Sequence, residues 1–338
     1  MSALTRRLSV ASGLAIVFSV ASSLPTAAAP ACPNMPPKVD YQLSFTPYAG
    51  DFGAYVAREK GFFSDVGIDV NIIGGTGAAS TATNVDQGTV MIGDADMTVV
   101  ILARSKGQKI KTVALLTDKT SQAFGTLDAS IKTPKDFEGR TVGLGAGTGD
   151  ALLLPVLVKI NGGDYSKVKL VNVSPAAYAT SLLNGQVDIT AAYLDGSFVS
   201  DTRLAKEQNK TVYAIGSAAN GLDIYQHVVV ASEKMITENS CLLRAFVQAE
   251  MKGLHYGVEH PDEAAAIMAH AVPTINPADL PAQLGFLRTS VDTPAFKRDG
   301  YGVVETTKLD RDIKNVVEAY GISGGINPQD VYTNEFVK

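Results

Sequence analysis

Four short stretches hold most of the residues in this chain that could contact a small molecule. They are the aromatics Phe45 and Tyr48 followed by Asp51, the turn Gly75-Thr76-Gly77, the acidic pair Asp94 and Asp96, and Thr148-Gly149-Asp150. Phe45 and Tyr48 offer faces on which a flat ligand can stack, or they fill the core. Backbone N–H groups of Gly77 and the Thr76 hydroxyl can donate to a ligand acceptor, though the same residues also make a plain turn. Asp51, Asp94, Asp96 and Asp150 can each accept from a ligand N–H or cap a following helix. Gln122, Tyr193 and Tyr225 complete the candidate set. This is chemistry of recognition. No G-x-S-x-G elbow, H-E-x-x-H pair or Walker loop occurs, and Gly143 to Gly149 alternate without forming G-x-G-x-x-G. His255 and His260 are five apart, wrong for one helix face, and two cysteines with four scattered histidines make no zinc set. No catalytic residue, metal site or cofactor is expected.

The elements that must position these groups alternate strand and helix from Val39 onward, the pattern of an α/β fold with mostly parallel sheets. Strands are expected over 39–45, 67–73, 90–92 and 111–116, then in a second cycle over 140–144, 168–173 and 187–193. Segments 211–215 and 227–231 read as the way back, and the chain is chiefly helical from residue 240. The glycine- and aspartate-rich turns follow strands and precede helices in both cycles. That carboxyl-end rim is where open α/β sheets bind ligands. Two rims facing one another would make a cleft.

The chain has 338 residues, 46% hydrophobic and 19% charged, a globular composition whose length suits two lobes. Residues 1–31 have the layout of a secretory signal: Arg6 and Arg7, an apolar run to Leu24 diluted by serines, and small residues at Ala27-Ala28-Ala29. Without those arginines, 27 basic residues face 34 acidic ones, a net charge of about −7. Such a chain is a poor binder of nucleic acid. Cys32 and Cys241 are open to two readings: a disulfide in an oxidising compartment, or lipidation of Cys32 as the first mature residue.

Several segments together resemble the periplasmic solute-binding proteins of the nitrate, taurine and alkanesulfonate importers and their thiamine-pyrimidine-precursor relatives. Ala54 to Phe63 followed by Gly67-Ile68-Asp69-Val70 is similar to the family's YVAxEKGFFxxxGLDV pattern. Thr133 to Arg140, Asn184-Gly185-Gln186-Val187-Asp188 and His260 to Ala265 are similar to three further family segments, in family order. The resemblance implies a type II periplasmic binding fold with two chain crossings. Lobe 1 would comprise 38–122 plus 226–338, and lobe 2 would comprise 123–225. It implies a monomer that closes on a small molecule and docks on an inner-membrane ABC permease with its ATPase.

This chain departs from the family at two places. Relatives often carry Asp-Trp where Ser44 and Phe45 stand, and Asp150 brings a negative charge where sulfonate and nitrate binders present donors. Facing the cleft, Asp150 would disfavour a bare oxyanion and tilt the ligand toward an amino-bearing nitrogen heterocycle such as a pyrimidine. The alternatives are an anion binder of the sulfonate, taurine or nitrate type, a sensory binding protein without transport, and an enzyme like the pyrimidine synthase, whose cysteine-rich motif is missing here.

Overall fold

The computed structural model describes Cys32 and residues 38–337. The signal segment read over 1–31 lies outside the described residues. Ten strands form two five-stranded sheets. The first contains β1 (Lys38–Gln42), β2 (Asp69–Ile73), β3 (Ile92–Asp96), β4 (Ile110–Leu115) and β10 (His227–Ser232), in the order β2-β1-β3-β10-β4. The second contains β5 (Gln122–Thr126), β6 (Thr141–Leu144), β7 (Lys169–Asn172), β8 (Ile189–Tyr193) and β9 (Tyr213–Gly216), in the order β7-β6-β8-β5-β9. The chain passes between sheets twice, after β4 and after β9.

Each sheet has one strand running against the others. β10 is antiparallel to β3 and β4, and β5 is antiparallel to β8 and β9. These are the two strands that follow a crossing. Strands connected through right-handed helical crossovers all point their carboxyl ends at the same rim. A strand that enters directly from the other sheet starts at that rim and runs away from it. So the amino ends of β5 and β10 lie beside the carboxyl ends of their neighbours.

The turn expected at Gly93-Asp94-Ala95-Asp96 is a strand instead. β3 runs to Asp96 because β1 and β10 pair with it on either side and the whole segment is buried. Strand alternation then puts Asp94 and Asp96 on one face of the sheet. The expected capping by Asp51 also changes form. Asp51 precedes the helix Phe52–Glu59, but its carboxylate accepts from the Tyr48 N–H at 2.9 Å and ties the loop rather than the helix.

After β10 the chain is helical, with Ser240–Glu259, Pro261–Ala271, Leu280–Val291 and Thr306–Tyr320 as its main helices. Ser240–Glu259 packs on Phe52–Glu59 so closely that a Cβ on Gly253 would stand 2.3 Å from the Gly53 carbonyl oxygen. Only glycine fits there. Cys32 is bonded to Cys241 at the start of this helix, with 5.7 Å between Cα atoms. No helix among the described residues is long and apolar enough to cross a membrane.

Candidate functional site

The two rims face each other across a cavity of about 360 Å³, at the small end of small-molecule sites. Phe45, Tyr48, Asp96 and His227 line it from the first sheet, and Thr148, Asp150, Tyr178 and Tyr193 from the second. The segment 274–283, with Asn276, Asp279 and Gln283, forms a third wall.

On the first side, register sets the geometry. His227 is the direct antiparallel partner of Asp96, so the two side chains share a face. Asp94, two residues back on that face, reaches diagonally to His227 Nδ1 at 3.1 Å. Asp94 also accepts from the Ser44 hydroxyl at 2.7 Å and the Ser44 N–H at 3.3 Å. His227 Nε2 lies 2.6 Å from the Tyr48 hydroxyl. Burial alone would strip the imidazole of its proton, but Asp94, by charge and hydrogen bond, together with Asp96 and Asp51 pushes the pKa to about 10. Burial, reinforced by Asp195 and Asp51, drives the Tyr48 phenol well above its usual value. Both shifts favour an imidazolium beside a neutral phenol. Burial raises Asp96 to about 7, with His227 opposing and Asp94 and Asp150 adding to the rise.

On the second side, Thr148 caps the helix Gly149–Ile160, accepting from Ala151 N–H at 3.4 Å. That leaves Asp150 free of capping. Its carboxylate receives the Tyr193 hydroxyl at 2.6 Å, the Thr148 hydroxyl at 3.0 Å and the Tyr178 hydroxyl at 3.3 Å. Gln122, the cross-strand partner of Tyr193, supports that phenol from behind at 3.4 Å.

The two sides also touch. The Tyr48 and Tyr193 rings are 6.2 Å apart and tilted by 49°, which leaves no space for a third ring between them. Ala79 N–H donates to the Gly147 carbonyl at 3.3 Å. Arg203 grips Asp279 through two bonds of 3.0 and 3.1 Å, and Gln283 donates to the Gly196 carbonyl at 3.1 Å. The structure is that of a closed clamp.

Of the sequence-derived candidates, Phe45, Tyr48, Gly77, Asp96, Thr148, Asp150 and Tyr193 line the cavity. Five do not. Asp94 is buried behind His227, Asp51 lies under the Tyr48 loop, and Gln122 stands behind Tyr193. Thr76 faces solvent with its hydroxyl 3.1 Å from Ser80 Oγ. Tyr225 is buried against Lys308, whose ammonium lies 4.5 Å from the ring, and accepts from Glu305 N–H at 3.1 Å. Sequence reading missed His227, Tyr178, Arg203, Asp279 and Gln283. His227 had a usable signal, since a strand that follows a crossing begins at the cleft. The charged pair had none, because Arg203 and Asp279 look in sequence like any solvated helix residues.

Among curated relatives, the formylaminopyrimidine-binding protein of Halalkalibacterium halodurans is 27% identical over 68% of this chain and 69% of its own. The riboflavin-binding protein RibY of Chloroflexus aurantiacus is 25% identical over 96% of this chain and 95% of its own. A 4-amino-5-hydroxymethyl-2-methylpyrimidine phosphate synthase of Candida albicans is 24% identical over 89% of this chain and 88% of its own. The crystal structure of the periplasmic aliphatic sulphonate binding protein SsuA from Escherichia coli superposes with a TM-score of 0.70, at 12% identity, over 90% of this chain and all of that one. That likeness shows the fold, the two-lobed α/β architecture of periplasmic binding proteins. The profile of the family described as "NMT1/THI5 like" matches residues 51–264. With well over half its length matched, the chain belongs to the NMT1/THI5-like family.

Proposed function

We propose that this protein is the exported solute-binding component of an ABC-type import system, and that its ligand is a small, amino-bearing nitrogen heterocycle of the pyrimidine class. The observation that carries the ligand class is the pair of cavity carboxylates, Asp96 from one sheet and Asp150 from the other, with Arg203 at the rim already held by Asp279. Among the described lining residues the two cationic side chains, His227 and Arg203, are each already paired with a carboxylate. A sulfonate or nitrate would therefore meet Asp96 and Asp150 without an unpaired cation, whereas a ligand with N–H donors would satisfy both. The formylaminopyrimidine-binding relative supports this class. Closure on ligand would present the lobes, 38–122 with 226–338 and 123–225, to a membrane permease as a monomer.

Export to the periplasm is supported by the signal-like segment 1–31 and by the Cys32–Cys241 bond, which suits an oxidising compartment. The bond also occupies the sulfur that a lipid anchor would need. A synthase reading would require a reactive group in the cavity. That group would be sought first in the synthase's cysteine-rich motif, and the described cysteines, Cys32 and Cys241, are bonded to each other.

A thermal-shift screen across aminopyrimidines, flavins, sulfonates, nitrate, carboxylates and amino acids tests the reading. Aminopyrimidines are expected to raise Tm, since a ligand at 100 times its Kd adds about 2.7 kcal/mol. A rise with sulfonates or nitrate alone would replace this ligand class with the anion class.

A further inference from the structure

Tyr48 can meet a ligand in either of two polarities, and its neighbour decides which. His227 Nδ1 faces the Asp94 carboxylate at 3.1 and 3.2 Å, and as a donor to that carboxylate the nitrogen carries a proton. With a neutral ring, Nε2 would be a lone pair, the Tyr48 proton would point at it, and the phenol would offer the cavity an acceptor. With an imidazolium, Nε2–H donates to the phenol oxygen and the Tyr48 proton is turned outward. The charges around the ring select the second arrangement. Asp94 and Asp96 on β3 and Asp51 under the Tyr48 loop surround His227 from the first lobe, and Asp195 approaches from the second. Arg203, the other cationic side chain in the cavity wall, is committed to Asp279. Asp94 is fully buried and accepts from the Ser44 hydroxyl and N–H as well as facing the His227 ring, so three partners converge on its two oxygens.

Asp96 completes the pattern. It stands directly across from His227 and lines the cavity, and its carboxylate has no hydrogen-bonding partner among the described residues. The phenol and the free carboxylate thus present one outward donor beside one acceptor.

We propose that Asp94 and His227 form a relay that fixes the Tyr48 hydroxyl as an outward donor, so that with Asp96 the site selects a ligand edge carrying a lone-pair nitrogen next to an N–H. This rests on the ligand class proposed above and deepens it. A 4-aminopyrimidine presents that edge. A pyrimidin-4-one of the same shape presents N–H and carbonyl in the reverse order, and it would face the phenol proton with a proton and the carboxylate with a lone pair. His227 is a positioning residue, acting through Tyr48 without touching the ligand's reading edge.

The test is calorimetric titration of 4-aminopyrimidine and pyrimidin-4-one against the full protein at about pH 8, where Asp96 is ionised. The wild type is expected to prefer the amino compound by at least about tenfold, the effect of one mismatched buried pair. His227→Gln, whose amide can donate from the Nε2 position, is expected to keep most of that ratio. His227→Met cannot donate and is expected to bring it toward unity. Lowering the pH through about 7 is expected to shrink the wild-type ratio, because a protonated Asp96 can donate to the carbonyl of the pyrimidinone. Nitrogen-15 NMR of the wild type, with the His227 ring assigned by through-bond correlation to its own backbone, is expected to show both ring nitrogens protonated at neutral pH, a readout that does not depend on either variant folding well. An equal ratio in wild type and His227→Met, or a neutral His227 ring, overturns the relay while leaving a heterocycle binder in place. Binding of neither probe, nor of any larger aminopyrimidine, overturns both the relay and the ligand class.

Discussion

Asp96 and Asp150 share the cavity but differ in their surroundings, and that difference predicts different behaviour. Asp150 is held by three hydroxyls and does no capping, so Asp150→Asn is expected to weaken an amino-bearing ligand about tenfold or more with little change in Tm. A lowered Tm with unchanged affinity would instead make it a structural residue. Asp96 is buried without a partner, so Asp96→Asn is expected to raise stability at neutral pH while weakening the same ligand. Both quantities are read from one calorimetric and thermal series. The titration signs agree across the site. Asp51 and Asp96, and away from the site Asp201 and Asp312, have pKa values raised to about 7, chiefly by burial. The stability linked to their extra protons is present below the ordinary carboxylate range and lost as pH rises through 7. The share from His227 is present below about 6.5 and lost as pH climbs through about 10. Tm of the ligand-free protein is therefore expected to fall steadily from about pH 5 to pH 10. Below about pH 4 the trend reverses, because surface carboxylates such as Asp136, held down by the backbone N–H groups of Lys132 and Thr133, then take up protons. A flat profile between pH 5 and 10 would contradict the site electrostatics.

Among the elements, the start of the helix Gly149–Ile160 is where the two lobes meet most tightly. A Cβ on Gly149 would stand 2.2 Å from Asp96 Oδ2, so closure needs a glycine at that point. Gly149→Ala is expected to have opposite effects on two measurements. Alanine is the better helix former by about 1 kcal/mol, so the open protein loses nothing in Tm. The clash with Asp96 is expected to reduce ligand affinity at least about tenfold by blocking closure. The Arg203–Asp279 pair acts on the same equilibrium from the rim. It joins the helix Ser197–Glu207 of the second lobe to the helical wall of the first, and Asp279 is buried while Arg203 is about a third exposed. Arg203→Ala is expected to shift the ligand-free molecule toward the open form, seen as a larger radius of gyration in solution scattering that ligand reverses. An unchanged radius would mean that the pair is incidental to closure.

Across the whole molecule, the clamp works only if ligand favours the closed form over the open one. Around the cavity the lobe-to-lobe contacts are polar, whereas behind it the helix Gly149–Ile160 packs against Met97–Ser105 and Thr306–Tyr320 in one apolar cluster shared by both lobes. The Cys32–Cys241 bond ties Cys32 to the start of the helix Ser240–Glu259, and neither cysteine lines the cavity. Replacing both cysteines by serine is expected to cost about 2–4 kcal/mol in denaturant unfolding and to leave ligand affinity within a factor of two. A large loss of affinity would place the bond in the closing mechanism.

The alternation of strand and helix and the glycine- and aspartate-rich turns between them were legible in the chain because they depend on local periodicity and backbone freedom. They implied a two-lobed α/β fold and placed Tyr48, Asp96, Asp150 and Tyr193 at its rims. Periodicity alone does not give strand direction; that had to be drawn from the crossing, which starts a strand at the cleft. For that reason His227 read as an ordinary strand residue, and Asp94 and Asp96 read as a turn. Only the antiparallel pairing of β10 with β3 brought His227 opposite Asp96 and within reach of Asp94 and Tyr48. Tertiary structure likewise decided that Thr148 caps and Asp150 faces the cavity, and that Arg203 spends its charge on Asp279. Each of those outcomes depends on distances between residues far apart in sequence, and no spacing along the chain encodes them.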